Sequence, residues 1–288
     1  MVKTIGNPLS WGAKALGGAS EHVAESAEHI GGRDSSPITD DQINTLTMDD
    51  LYDALRKGAE DLGAARGDVL FLCLIYPIIG LILVAFGLNM NLLPLLFPLL
   101  AGFALLGPIA AIGPYEISRR REEGLPYGWG DAFGLVSSPS FGAIVVLSIF
   151  LFGLFLVWML VAAAIHAMTL GGPPPASITA FAIQIFTTGA GWAMILIGTV
   201  FGFGFALLVL ATSVVSFPLL LQRDVGVPNA VATSVKVFRK NPRVILVWGL
   251  IVATGLVLGT IPALIGLIIV LPLLGHATWH LYRRAISV

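Results

Sequence analysis

A chain of 288 residues in which 56% are hydrophobic and only 11% charged lies far from the roughly 25% charged composition of soluble domains. It excludes an ordinary water-soluble fold and requires a helical membrane protein. The formal net charge of −1 argues against nucleic acid as a partner, because phosphate binding needs a concentrated cationic surface.

In chain order, residues 1–45 differ in kind from the rest. "MVKTIGNPLSWGAKALGG" lacks the continuous apolar core of a signal peptide. "ASEHVAESAEHIGG" is only weakly amphipathic, and Gly, Ser and acid-rich flanks predict a mostly disordered arm in which Trp11 touches the membrane and His22 and His29 are solvated. From residue 46 the sequence predicts a six-helix transmembrane domain reaching residue 288. A leader places Leu51, Leu55, Ala59 and Leu62 on one helical face, opposite Arg56, Lys57, Glu60 and Asp61. Apolar runs at about 69–86 and 92–117 give the first two spans, joined by "GLNMN". Cys73, the one cysteine, falls in the first of them, which excludes an intrachain disulfide and reads as a small core residue.

The third and fourth spans are expected at about 142–168 and 192–221, separated by the uncharged loop "TLGGPPPASITAFAIQIFTTGAG". A second amphipathic leader precedes the fifth span, with Val231, Val235 and Phe238 opposing Lys236, Arg239 and Lys240. As one helix the final run, Val244 to Trp279, would extend more than about 50 Å, against about 30 Å of hydrocarbon. It must fold back, and "GTIP", Gly259 to Pro262, offers the hairpin, giving spans at about 244–259 and 262–282.

Three segments share a plan of acid or amide, Ala, short amphipathic stretch, Gly or Pro break and apolar span: those starting at Asp53, Asp131 and Asn229. Each ends in a polar tail, "YEISRRREEG", "PLLLQRDVG" or "WHLYRRAIS". The expected fold is therefore an all-α polytopic membrane protein, six transmembrane helices in three interfacial-helix-plus-hairpin units. All charged residues fall on one side of such a layout, so the positive-inside rule puts the N- and C-termini in the cytoplasm. The leaders would then lie with their apolar faces in the acyl boundary. Arg119, Arg120, Arg121, Arg223, Lys236, Arg239, Lys240, Arg283 and Arg284 would meet anionic headgroups of the lipid bilayer.

An ionisable group within a span is a functional-site hypothesis by default. Glu116 sits three and four residues before Arg119 and Arg120, the spacing of helical ion pairs, so a paired interfacial role suffices for it. The rival reading is a metal site in which His276 and His280, four apart on one helix, meet Glu116. No second acid is visible beside them. Haem is excluded, since His166 lies at the opposite membrane depth from His276 and His280, and no cofactor is expected. Gly198 with Gly202, Gly255 with Gly259, and Gly107 with Ala111 have small-xxx-small spacing suited to helix packing.

The segment "LLFPLLAGFALLGPIAAIGPYEISRRREEG", with "DDLYDALRKGAEDL" ahead of it, resembles domain of unknown function 2189, a bacterial family of predicted integral membrane proteins. The likeness rests mostly on "GPYEISRR" and implies a multi-pass inner-membrane protein, without implying an activity or ligand. The sequence thus points to an accessory or structural subunit or membrane-organising protein, with a membrane-protein partner. A transporter of a neutral or lipid-like solute is the alternative. Such a transporter needs Thr212, Ser213 and Ser216 to converge with Thr254 or Thr260 around a polar cavity. A metal-dependent membrane enzyme is the third class.

Overall fold

The computed structural model describes residues 38–64, 74–89, 92–127, 140–172 and 175–287. Residues 1–37, the start of the expected first span with Cys73, and the leader beginning at Asp131 lie outside them. The described residues are helical without a strand, apart from one antiparallel bridge between Ile43 and Ile286.

The leader forms helix α1, Met48–Ala64. Thr47 and Asp50 start it with reciprocal bonds: the Asp50 carboxylate accepts from the Thr47 backbone N–H at 2.8 Å, and the Thr47 hydroxyl accepts from the Asp50 N–H at 3.3 Å. Then come α2, Ile75–Asn89; α3, Leu96–Leu105; α4, Gly107–Ala110; and α5, Ile112–Glu122. The second apolar run is thus not one rod: it breaks at Leu106 and Ala111. Pro108, just inside α4, and Pro114, just inside α5, both lack the N–H that a continuous helix needs.

Helix α6, Phe141–Thr169, is followed by α7, Ile178–Thr187, in the segment expected to be an irregular loop. Ser177 caps α7 by accepting from the Ala180 N–H at 3.0 Å. Helix α8, Gly189–Ser213, runs through a turn into α9, Ser216–Gln222. Helix α10, Val227–Lys240, is the second leader; α11, Pro242–Thr260, and α12, Leu267–Ala285, form the last hairpin. Its turn covers residues 261–266, a few residues later than the expected Gly259–Pro262. The reason is a backbone contact, since a Cβ on Gly266 would stand 2.9 Å from the Gly259 Cα.

Among the described residues three segments are long and apolar enough to cross a membrane: Phe141–Thr169, Gly189–Gln222 and Pro242–Thr260. Their outward side chains, such as Leu160, Val200 and Leu250, are exposed, and so much contiguous apolar surface requires an apolar solvent. The packed core sits at one end. It joins the first turns of α6 (Ala143, Ile144, Leu147) to α9 (Phe217, Leu219, Leu220), α11 (Ile245, Trp248) and α12 (Trp279, Leu281, Tyr282).

Residues 38–47 are part of that end, which corrects the expected boundary of the disordered arm at residue 45. Ile38 and Ile43 are buried, and Asn44 N–H donates to the Ala285 carbonyl at 2.8 Å. Asn241, between α10 and α11, accepts from the Leu46 N–H at 2.7 Å and donates to the Asn44 carbonyl at 3.0 Å.

Both leaders bury a different face from the one expected. Helix α1 buries Leu51, Ala54, Gly58 and Asp61, and α10 buries Ala230, Thr233, Ser234 and Val237. In α1 the stripe narrows to Ala54 and Gly58 where the Ala277 backbone comes close. The expected apolar stripe shares only Leu51 with it: Ala59 is exposed, while Leu55 and Leu62 are half-buried, and the neighbouring Tyr52 is exposed. Each leader therefore has three faces instead of two.

Candidate functional site

Two close crossings build the site. Helix α1 packs along α12 more extensively than any other helix pair in the described residues, and α12 also packs on α5. A Cβ on Gly58 would stand 2.7 Å from the Ala277 nitrogen, and one on Gly275 would stand 2.7 Å from the Pro114 Cβ. Small residues let three backbones approach and bring short polar side chains from all three into contact.

Asp61, 6% exposed, is the hub. Its Oδ2 accepts from the Ser118 hydroxyl at 2.5 Å and lies 2.8 Å from His280 Nε2, while its Oδ1 pairs with Arg121. Burial pushes the Asp61 carboxyl up, but the hydrogen bonds of His280 and Ser118 and the nearby His280 charge outweigh it. The carboxyl is held below its ordinary value. Asp61 is therefore an acceptor only. Ser118 has one proton and gives it to Asp61, so its oxygen is left to accept from His276 Nδ1, 2.8 Å away. That assigns the Nδ1–H tautomer to His276. The His276 ring is fully buried, its Nε2 has no hydrogen-bond partner, and the Pro114 backbone faces it.

Glu116 stands apart from this group. Arg119 donates to it through Nε at 2.8 Å and Nη2 at 2.7 Å, and Arg120 through Nε at 2.7 Å. This is the helical ion pairing its spacing predicts, with Arg119 also reaching Glu123 at 2.9 Å. Two residues apart on one helix, Glu116 and Ser118 point to different sides. The trio of Glu116, His276 and His280 is therefore not assembled. Among the described residues no group of three or more His, Cys, Asp or Glu could hold a metal ion.

Most of the expected headgroup cations also have partners within the chain. Arg121 serves Asp61; Arg283 donates to Glu122 at 3.0 Å; Arg284 reaches Asp53 at 3.0 Å. Lys236 pairs with Asp40 at 3.0 Å, and Lys240 donates to the Ile43 carbonyl at 2.5 Å. Arg239 is exposed and Arg223 half-buried at the end of α9. Trp279 Nε1 donates to Glu122 at 2.9 Å and the Tyr282 hydroxyl to Gln222 at 2.5 Å, tying α12 to α5 and α9.

A cleft of about 380 Å³ opens over this network, with His280 and Asp61 at its floor and Lys57, Glu60, Glu122 and Arg283 around it. The sequence reading missed Asp61 and Ser118. Asp61 looked solvated because it borders Glu60 and Lys57. The signal that could have found it is the helical spacing of Ala54, Gly58 and Asp61, two residues small enough for a close helix contact followed on the same face by an acid.

No curated protein matches the chain, and no solved structure does. Residues 96–222, from the start of α3 to the end of α9, match the model of DUF2189, described as predicted integral membrane protein, so this segment of the chain is similar to that family.

Proposed function

We propose that this integral membrane protein is an accessory or structural subunit, or an organiser, of the bacterial inner membrane, crossing it six times with both ends in the cytoplasm. The observation that carries this reading is the division of the molecule into an apolar, outwardly exposed body and one densely paired polar end. Cations gathered at one end fit the positive-inside rule. The bridge between Ile43 and Ile286 supports an even number of crossings.

The three-faced leaders support an interfacial setting. In α1 one face meets α12, the exposed edge around Tyr52 and Ala59 is free to enter the acyl boundary, and the Arg56 and Glu60 side faces water. Since most cations of the described residues are already paired, attraction to anionic headgroups is left mainly to Lys57, Arg223, Arg239 and Arg243.

Transport of a neutral solute is less well supported. Thr212, Ser213 and Ser216 turn their hydroxyls onto the carbonyls of Leu208, Val209 and Thr212 at 2.6–2.7 Å. Thr254 and Thr260 are exposed, and Thr260 donates to the Val257 carbonyl at 2.7 Å. These groups satisfy their own helices rather than a shared polar cavity.

Copurification after gentle detergent extraction tests the proposal. One stoichiometric membrane-protein companion is the expected result. A reproducibly monomeric protein carrying a bound solute would overturn it, and labelling of a cysteine at position 119 from outside intact cells would overturn the orientation.

A further inference from the structure

His276 is a fully enclosed imidazole at the polar end, joined to Ser118 through one nitrogen only. A buried imidazole with one nitrogen engaged and the other unpartnered is an unusual arrangement, because buried polar atoms are nearly always satisfied. Its engaged nitrogen leads outward without a gap. Nδ1 is 2.8 Å from the Ser118 oxygen, which is 2.5 Å from Asp61 Oδ2, which is 2.8 Å from His280 Nε2 at the cleft floor. Three helices contribute to this chain, so its continuity does not follow from the periodicity of any one of them.

We propose that His276, Ser118 and Asp61 form a proton relay between the interior of the bundle and the cleft, using the two nitrogens of His276 as its two ends. In one transfer event a hydronium ion that reaches the ring on its Nε2 side gives its proton to Nε2, leaving water and an imidazolium. The Nδ1–H bond then breaks and its proton passes to the Ser118 oxygen, as the original Ser118 proton passes to Asp61 Oδ2. The imidazole is again neutral, now protonated at Nε2, Ser118 is unchanged, and Asp61 is a neutral acid. Asp61 releases the proton to cleft water. The same steps in reverse carry a proton inward, so the relay itself sets no direction.

The groups facing the relay fit this role. Arg121 on α5 and His280 on α12 both favour the ionised form of Asp61, so a proton placed there is passed on rather than kept. Lys57 and Glu60 on α1, with Glu122 on α5 and Arg283 on α12, surround the cleft with both signs of charge, and water can enter it.

The test uses the full chain, labelled with 15N-histidine and reconstituted in liposomes, with the His276 resonances followed by solid-state NMR on transfer to D2O. At neutral pH His276 should carry its proton on Nδ1, and that proton should exchange far faster than the backbone amides of α12 around it. Asp61→Asn keeps an acceptor oxygen but is a poor proton acceptor, so it should slow the exchange about tenfold or more; Ser118→Ala should do the same and Ser118→Thr should restore it. A proton found only on Nε2, wild-type exchange as slow as the surrounding amides, or Asp61→Asn exchange as fast as wild type would each overturn the relay. Should Ser118→Ala fail to fold, the wild-type and Asp61→Asn measurements decide. Failure here leaves the accessory-subunit reading standing, since copurification tests that separately.

Discussion

Gly58 is the residue on which the close approach of α1 to α12 turns. On helix propensity alone, replacing an interior glycine by alanine should stabilise by about 1 kcal/mol. In this fold the added Cβ would stand 2.7 Å from the nitrogen, 2.8 Å from the Cβ and 2.9 Å from the Cα of Ala277. None of these is the end of a flexible side chain, so the helices must separate. Overpacking of this kind costs about 1–3 kcal/mol, and separation also stretches the bonds of Asp61 to Ser118 and His280. Packing alone should therefore leave Gly58→Ala destabilised by about 0–2 kcal/mol after the propensity gain is subtracted, and the stretched bonds of Asp61 add to that. Gly63 supplies the control: it lies in the same helix with nothing within 4 Å of its Cβ position, so Gly63→Ala should be neutral or slightly stabilising. Thermal unfolding of both variants in one detergent, with tryptic cleavage at Arg56 and Lys57 as a monitor of α1 undocking, measures the difference. If Gly58→Ala proves as stable as Gly63→Ala, the two helices do not meet as described.

Asp61→Asn leaves Arg121 and His280 without their carboxylate; because Arg121 is about one-third exposed, the loss should be about 2–3 kcal/mol, below the full cost of breaking a buried pair, read from the same unfolding assay. Acid should have a related effect. The Asp61 carboxyl is lowered in the folded state, so its contribution is fully present above the unfolded value of about 4 and disappears as pH falls further, through the folded value. Melting temperature should drop between neutral pH and about pH 3, less steeply in Asp61→Asn. Trp279→Phe removes the donor to Glu122 and should cost about 1–2 kcal/mol, moderated because Arg283 still holds that carboxylate. An equal stability of Trp279→Phe and wild type in chemical denaturation would show that Arg283 alone suffices.

Much of the layout was legible from hydropathy because membrane solvent imposes the pattern directly. The runs at 142–168 and 244–259 coincide with α6 and α11 within a few residues, since an apolar span must keep all its backbone hydrogen bonds inside the helix. The pairing of Glu116 with Arg119 and Arg120 was legible for a similar reason, being local to one helix. Breaks at Leu106 and Ala111 were less so. Proline announces that a helix bond is missing, but whether the chain kinks or stops depends on neighbours that offer other partners. The site was the least legible part. Asp61, Ser118 and His276 come from α1, α5 and α12, and their meeting depends on helix crossings rather than on spacing.

The leaders show why amphipathicity alone misplaced Asp61. A two-faced helix has one boundary between apolar and polar, and the natural division of α1 puts Asp61 with Arg56 and Glu60. At the meeting of protein, hydrocarbon and water a helix has three neighbours. Hydrocarbon takes large apolar side chains, water takes charges, and a closely packed protein neighbour takes small residues whatever their polarity. Ala54 and Gly58 in α1 and Ala230, Thr233 and Ser234 in α10 are that third class. A carboxylate can enter such a face only where donors await it, and α5 and α12 provide Ser118, Arg121 and His280. The same logic links the ends of the chain: α10 packs on α9, the helix just before it, whereas α1 packs on α12, the last helix. The contact that joins the last described helix to the first is thus also the one that assembles the buried polar network, so undocking α1 should open both together.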